Sequence, residues 1–169
     1  MKFYHYVGSE QIKISVCDYP SGTIIDSLLG LKNWVTNSFN KKTNSSSVLV
    51  ATFVIDVKQR LCLADRYSEH VACAGRQPVL SAGEMFFVWN KGALEISDIT
   101  NQSTGYCPEI DSWHYVEAAL NKIIVPYPAH FTVEFTFRRC CDCAQINIIK
   151  NDVFVCSVCN SILPEQWNL

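Results

Sequence analysis

Residues 138–161 read RRCCDCAQINIIKNDVFVCSVCNS, and this stretch concentrates five of the chain's nine cysteines in its last fifth. Cys140 and Cys143 form one C-x2-C pair and Cys156 and Cys159 a second, with twelve residues between the pairs. A C-x2-C pair on a tight turn aims two thiolates at one point, so two such turns supply the four sulfur ligands that tetrahedral Zn²⁺ prefers. The segments INIIK and VFVC, joined around Asn151-Asp152, have the composition of a β-hairpin that would bring the second turn beside the first.

Over residues 138–163 this pattern resembles the zinc ribbon family, which implies a small metal-stapled module with a structural zinc ion. The twelve-residue spacer is shorter than the usual 15–20. The position after each second cysteine, where glycine is common, carries Ala144 and Asn160; asparagine tolerates a left-handed backbone and alanine does so poorly, so the first turn is expected to be less regular. Cys141 lies inside the first turn and is read as a non-ligand. Four sulfur ligands leave no open position for water, so the metal is expected to be structural. Iron in a four-sulfur site is the alternative metal, and four free buried thiols the alternative without one.

At 169 residues, 49% hydrophobic and 18% charged, the chain is long and apolar enough to bury a core. The start MKFYHYVGSEQIK lacks the basic residues and apolar run of a signal peptide, and no stretch approaches the ~18 apolar residues of a membrane span. A cytoplasmic location is therefore expected, in which nine cysteines serve metal binding, catalysis or burial rather than disulfides. A net charge of −2 argues against a dominant nucleic-acid or membrane interaction. Within the module, Arg138, Arg139 and Lys150 are cancelled by Asp142, Asp152 and Glu165, and four thiolates around Zn²⁺ add −2, so phosphate binding is disfavoured there too.

Upstream, SEQIKISV and SLLGLKNWVTNSF read as helices, the second capped by Asp26 or Ser27 with Leu28, Leu31, Trp34 and Val35 on its apolar face. NKKTNSSS (40–47) reads as an exposed loop. VLVATFVIDV, LCLAD, VLSAGEMFFVW and LEISDI follow as strands of antiparallel hairpins, broken at Lys58-Gln59-Arg60 and Asn90-Lys91-Gly92. Residues 112–124 restore helical spacing after a cap at Asp111 or Ser112. FTVEFTFRR then reads as a strand with Phe131, Val133, Phe135 and Phe137 on one face, and LPEQWNL as a tail folding back with Leu163 and Trp167 as anchors. The sum is an α+β protein, mainly antiparallel sheet with two or three helices, divided into a domain at 1–137 and a zinc-ribbon module at 138–169 packed on it.

Polar residues interrupt the sheet at ADRYSEHVACAGRQPVLSAGEMFF and ISDITNQSTGYCPEIDSW. A thiol needs a neighbouring base to become nucleophilic, and Cys107 or Cys73 with His70 as base and Asn101 or Glu69 as orienter would supply one. The order of His70, Gly75, Ala82, Gly83, Ser103, Tyr106 and Pro108 resembles the HSS…AG…AAG…SGHYRP run of plant IQ-motif-containing calmodulin-binding proteins. Here Thr104 separates the serine from the glycine, the histidine before the tyrosine is missing, and no basic IQ-type helix follows. The resemblance implies a shared sheet-and-turn arrangement and not the calmodulin partner.

Three functions follow as expectations. The first is a zinc-binding protein whose central sheet offers a non-catalytic face to a protein or small-molecule ligand. The second is a thiol-dependent transferase or hydrolase built on Cys107 or Cys73 with His70. The third is a nucleic-acid accessory factor acting through the ribbon.

Overall fold

The structure, a computed structural model, describes residues 1–40 and 47–169. The loop expected at 40–47 therefore lies, apart from its two end residues, outside the described residues. The longest apolar run of the chain becomes the centre of the fold. Strand β2 (Val48–Asp56) is buried at seven successive positions, as expected of a strand covered on both faces. Around it a five-stranded antiparallel sheet forms in the order β1-β3-β2-β4-β5, with β1 at Thr23–Ile25, β3 at Leu61–Asp65, β4 at Val79–Asn90 and β5 at Ala93–Thr100.

Period-2 alternation assigns the two faces. Leu49, Ala51, Phe53 and Ile55 point into the larger core, where they meet helices α2 (Leu28–Asn40) and α4 (Trp113–Ile123) through Leu31, Val35, Val116 and Leu120. Val54, Cys62, Val79 and Ala82 face a smaller core closed by Tyr4, Val16, Tyr106 and the short helix α3 (His70–Cys73). Helix α1 (Glu10–Ser15) buries no residue. A single 3-10 turn, Ile110–Ser112, leads into α4. No helix among the described residues is long and apolar enough to cross a membrane.

The expected breaks sit where backbone chemistry requires them. Lys91 and Gly92 both have positive φ, 49° and 83°, which suits a two-residue hairpin loop between β4 and β5. Between β2 and β3, Asp56 accepts the amides of Lys58 and Arg60 at 2.9 Å and the Arg60 Nε–H at 2.8 Å. Of the two caps proposed for α2, Ser27 is the one used: its hydroxyl accepts the Gly30 amide at 3.2 Å.

Four expectations change. Ser112 makes no capping bond to α4, because its hydroxyl is taken by Ser81 in a buried pair 2.9 Å apart. FTVEFTFRR is a strand only at β6 (Thr136–Arg139): Val133 is half exposed and holds a single bridge to Thr100. The strand β7 (Ile146–Ile149) pairs with β6 across the first cysteine turn. It meets the second half of its expected hairpin only at the Lys150–Val153 bridge, across a turn in which Asn151 and Asp152 both have positive φ. Leu163 anchors beside Cys140 and Cys156, while Trp167 reaches back to the main sheet.

Candidate metal centre

The two cysteine turns are close copies of one another, so the first is as regular as the second despite its alanine, contrary to expectation. In the first, the Cys140 amide donates to Gln145 O at 2.8 Å and the Ala144 amide to Cys140 O at 3.0 Å; in the second, Cys156 donates to Ser161 O at 2.8 Å and Asn160 to Cys156 O at 3.0 Å. Both turns close through a left-handed residue one place after the second cysteine, Ala144 at φ 63° and Asn160 at φ 61°. This is the conformation that costs an L-residue with a Cβ about 1–2 kcal/mol, and only asparagine offsets it locally. Ala144→Gly is therefore expected to stabilise the metal-loaded cysteine cluster by about 0.5–1 kcal/mol, the relief of strain exceeding the entropy glycine adds to the unfolded chain. A competition titration with a chromophoric chelator should read this as tighter metal binding.

The turns bring Cys140, Cys143, Cys156 and Cys159 together with their Sγ atoms all within 4.8 Å of one another, one residue of each pair buried and one exposed. Across the turns, Cys140 Sγ lies 3.5 Å from Cys159 Sγ and Cys143 Sγ 3.6 Å from Cys156 Sγ. A regular tetrahedron with metal–sulfur bonds of about 2.3 Å has edges of about 3.8 Å, so the four atoms fit one thiolate-bound ion. Cys141 is exposed and outside the cluster.

The local field favours thiolate in the second turn. The backbone amides of Cys159 and Val158, together with the Asn147 side chain, pull Cys156 down to about 6, and Ser161 lowers Cys159. Cys143 is pushed up to about 12: the Gln145 amide lowers it, but burial and the neighbouring sulfurs raise it more.

One participant carried no sequence signal. Asn147, on β7 and 6% exposed, stands between the turns. Its Nδ2 donates to Gln145 O at 2.9 Å and to Cys156 Sγ at 3.6 Å, and its Oδ1 accepts the Ser157 amide at 3.0 Å and hydroxyl at 2.9 Å. Read in sequence, it is an asparagine inside an apolar strand, where polar residues usually face solvent. Groups that orient metal ligands typically affect affinity 10–100-fold. Asn147→Ala is expected to weaken metal binding by about that factor. Asn147→Asp should weaken it at least as much, since it replaces the donor to sulfur with a negative charge beside thiolates; chelator competition measures both.

The other candidate residues are placed as follows. Cys107 is fully buried in the loop after β5, its thiol donating to Thr104 O at 3.3 Å and its carbonyl accepting Trp167 Nε1–H at 2.9 Å; burial pushes the thiol up to about 12. Cys73 ends α3, buried, its thiol directed at Cys62 O and raised by burial. Asn101, also buried, donates to Pro108 O and Phe135 O at 2.9 and 2.8 Å and accepts the Phe135 amide at 2.7 Å, tying that loop to the segment leading into β6. Glu69 is exposed at the N-cap position of α3 and makes no capping bond. No hydrogen bond among the described residues joins Cys107 or Cys73 to His70, Glu69 or Asn101.

His70 opens α3 with its Nε2–H donating to Gly83 O at 3.0 Å. Burial lowers its pKa, with the Gly83 bond opposing. The unfolded chain, near the ordinary value of ~6.5, therefore takes up this proton before the folded one does. The stability of the metal-loaded protein should decline as pH falls below ~6.5, and His70→Gln should flatten that decline in denaturant titrations at several pH values.

Compared with known proteins, the chain matches no family model, no curated protein and no solved structure.

Proposed function

We propose that this protein binds one Zn²⁺ as a structural staple in a zinc ribbon, and that the stapled fold acts as a non-catalytic binding module for a protein or small molecule in a reducing, cytoplasmic setting. The observation that carries the metal reading is the convergence of four Sγ atoms within 4.8 Å from two turns of matching backbone geometry. All-sulfur coordination favours zinc over the oxygen-seeking ions, and four protein ligands leave no position for an activated water. Reduced thiols are needed to hold it, which favours the reducing compartment.

The binding reading draws on the cavities, because β2 at the centre of the sheet is covered on both faces. A cavity of about 260 Å³ opens at one end of the sheet, walled by Ile24, Val54, Val57, Cys62, Cys73 and Pro78 and rimmed by Lys58 and Arg60. Its apolar wall and charged rim suit a small ligand or a partner's side chain.

Elemental mass spectrometry of the purified chain tests the metal reading. One zinc per chain, with Cys140, Cys143, Cys156 and Cys159 protected from alkylation until a chelator is added, is the expected result. Absence of metal with all four thiols freely labelled would overturn it.

A further inference from the structure

Resting on the zinc reading, we propose that the C-terminal strap, residues 163–169, is a metal-controlled latch that covers the loop around Cys107 and forms one wall of a cavity at the junction of ribbon and sheet.

The strap is held by the ribbon at both ends. Leu163, 1% exposed, packs against Cys140 and Cys156, and its amide donates to Phe154 O at 2.9 Å. The carbonyls of Pro164 and Glu165 accept Arg138 Nε–H at 3.1 and 3.0 Å. Asn168 closes the far end on the residue before the first ligand, accepting the Arg139 amide at 2.9 Å and donating to Arg139 O at 2.8 Å. Between these anchors, Trp167 is the piece that reaches the main domain. Its Nε1–H donates to Cys107 O at 2.9 Å, its ring meets Tyr4 edge-to-face at 5.5 Å, and the Lys2 ammonium sits 3.5 Å from its centroid. Lys2 is itself paired with Glu109.

The ribbon's own core consists of Cys140, Cys156 and Leu163, with Ile149 and Phe154 partly buried against them. Two of the three fully buried members are metal ligands, so the apolar contacts that remain without the ion are too few to hold the turns, and folding and metal binding become one event. Arg138, Arg139 and Leu163 then lose the fixed positions from which they hold the strap. Trp167 keeps one hydrogen bond, the edge-to-face contact with Tyr4 and the Lys2 cation–π contact, each worth about 1 kcal/mol, against an entropy of roughly 1 kcal/mol or more for each of the seven residues ordered. Release of Trp167 uncovers Tyr4 and the Cys107 carbonyl and removes one wall of the cavity of about 190 Å³ that it lines with Glu109, Ile110, Phe135, Phe137 and Arg138. Metal occupancy thereby sets access to a surface on the main domain that holds none of the metal ligands.

Hydrogen–deuterium exchange on the full chain, metal-loaded and chelator-treated, tests the latch. Peptides 103–110 and 163–169 are expected to exchange on the order of tenfold faster once the metal is removed, while β2 and β4 stay protected. Trp167→Ala should give the same fast exchange at 103–110 with one zinc still bound, which separates the latch from loss of the ribbon. If chelation deprotects residues 140–159 and leaves 103–110 and 163–169 protected, the latch is wrong and the zinc reading stands. A chain that carries and takes up no zinc overturns both.

Discussion

Gly83→Ala is expected to destabilise the protein by roughly 3 kcal/mol or more, at the upper end of what overpacking a core costs. Gly83 lies in β4 opposite Phe53 of β2. A Cβ there would fall 1.8 Å from the Thr100 carbonyl oxygen and 3.0 Å from the Asn101 Cα. Both obstacles are backbone, so no rotamer change relieves them, and the end of β5 must move instead. That movement reaches further. The Gly83 carbonyl is the acceptor for His70, and Asn101 holds Pro108 and Phe135 in place. Equilibrium denaturation of the metal-loaded variant measures the loss. A variant of wild-type stability would show that β4 and β5 do not approach as described.

Cys156→Ser is expected to weaken zinc binding by about a hundredfold, read by chelator competition. Zinc in four-ligand peptides is worth ~10–16 kcal/mol, so removing one ligand removes roughly 3 kcal/mol, or about a hundredfold in affinity. Cys156 is fully buried and receives the Asn147 donor, so the serine hydroxyl also leaves that network mismatched. The damage should be local. The five-stranded sheet draws its core from α2, α4 and its own strands, none of which contains a ligand. A thermal melt followed by zinc release should show the ribbon lost while the main transition persists. Cys141→Ser, altering an exposed cysteine outside the cluster, should leave zinc content unchanged.

The features legible in the sequence are those with a local physical signature. Two C-x2-C pairs force ligands onto tight turns, and the structure gathers those four cysteines into one cluster. The left-handed position after the second pair could be anticipated from Asn160, whereas Ala144 pointed to a less regular first turn that the structure does not have. The long β-branched and aromatic runs gave β2 and β4, where seven or more apolar residues outweigh any competing helical period, and the shorter alternation at Leu94 and Ile96 gave β5. Helices α2 and α4 carried a clear 3.6-residue stripe.

What escaped was short or non-local. Strand β1 has three residues and α3 four, too few to show a period. The serine expected to cap α4 has a partner thirty-one positions away, which no window on the sequence includes. The pairing of β7 with β6 rather than with the following strand was set by the closure of the first cysteine turn, not by the composition of either segment. Asn147 went unnoticed for the same reason: its role depends on Ser157 and Cys156, which the fold brings to it.

If Cys140, Cys143, Cys156 and Cys159 share one ion, the ion's own coordination shell records it. Zinc-edge X-ray absorption on the metal-loaded chain addresses it most directly. A first shell of four sulfur atoms at about 2.3 Å with no nitrogen or oxygen neighbour is expected. A shell containing two or more light atoms at about 2.0–2.1 Å would contradict it, because it would place the metal on ligands other than Cys140, Cys143, Cys156 and Cys159.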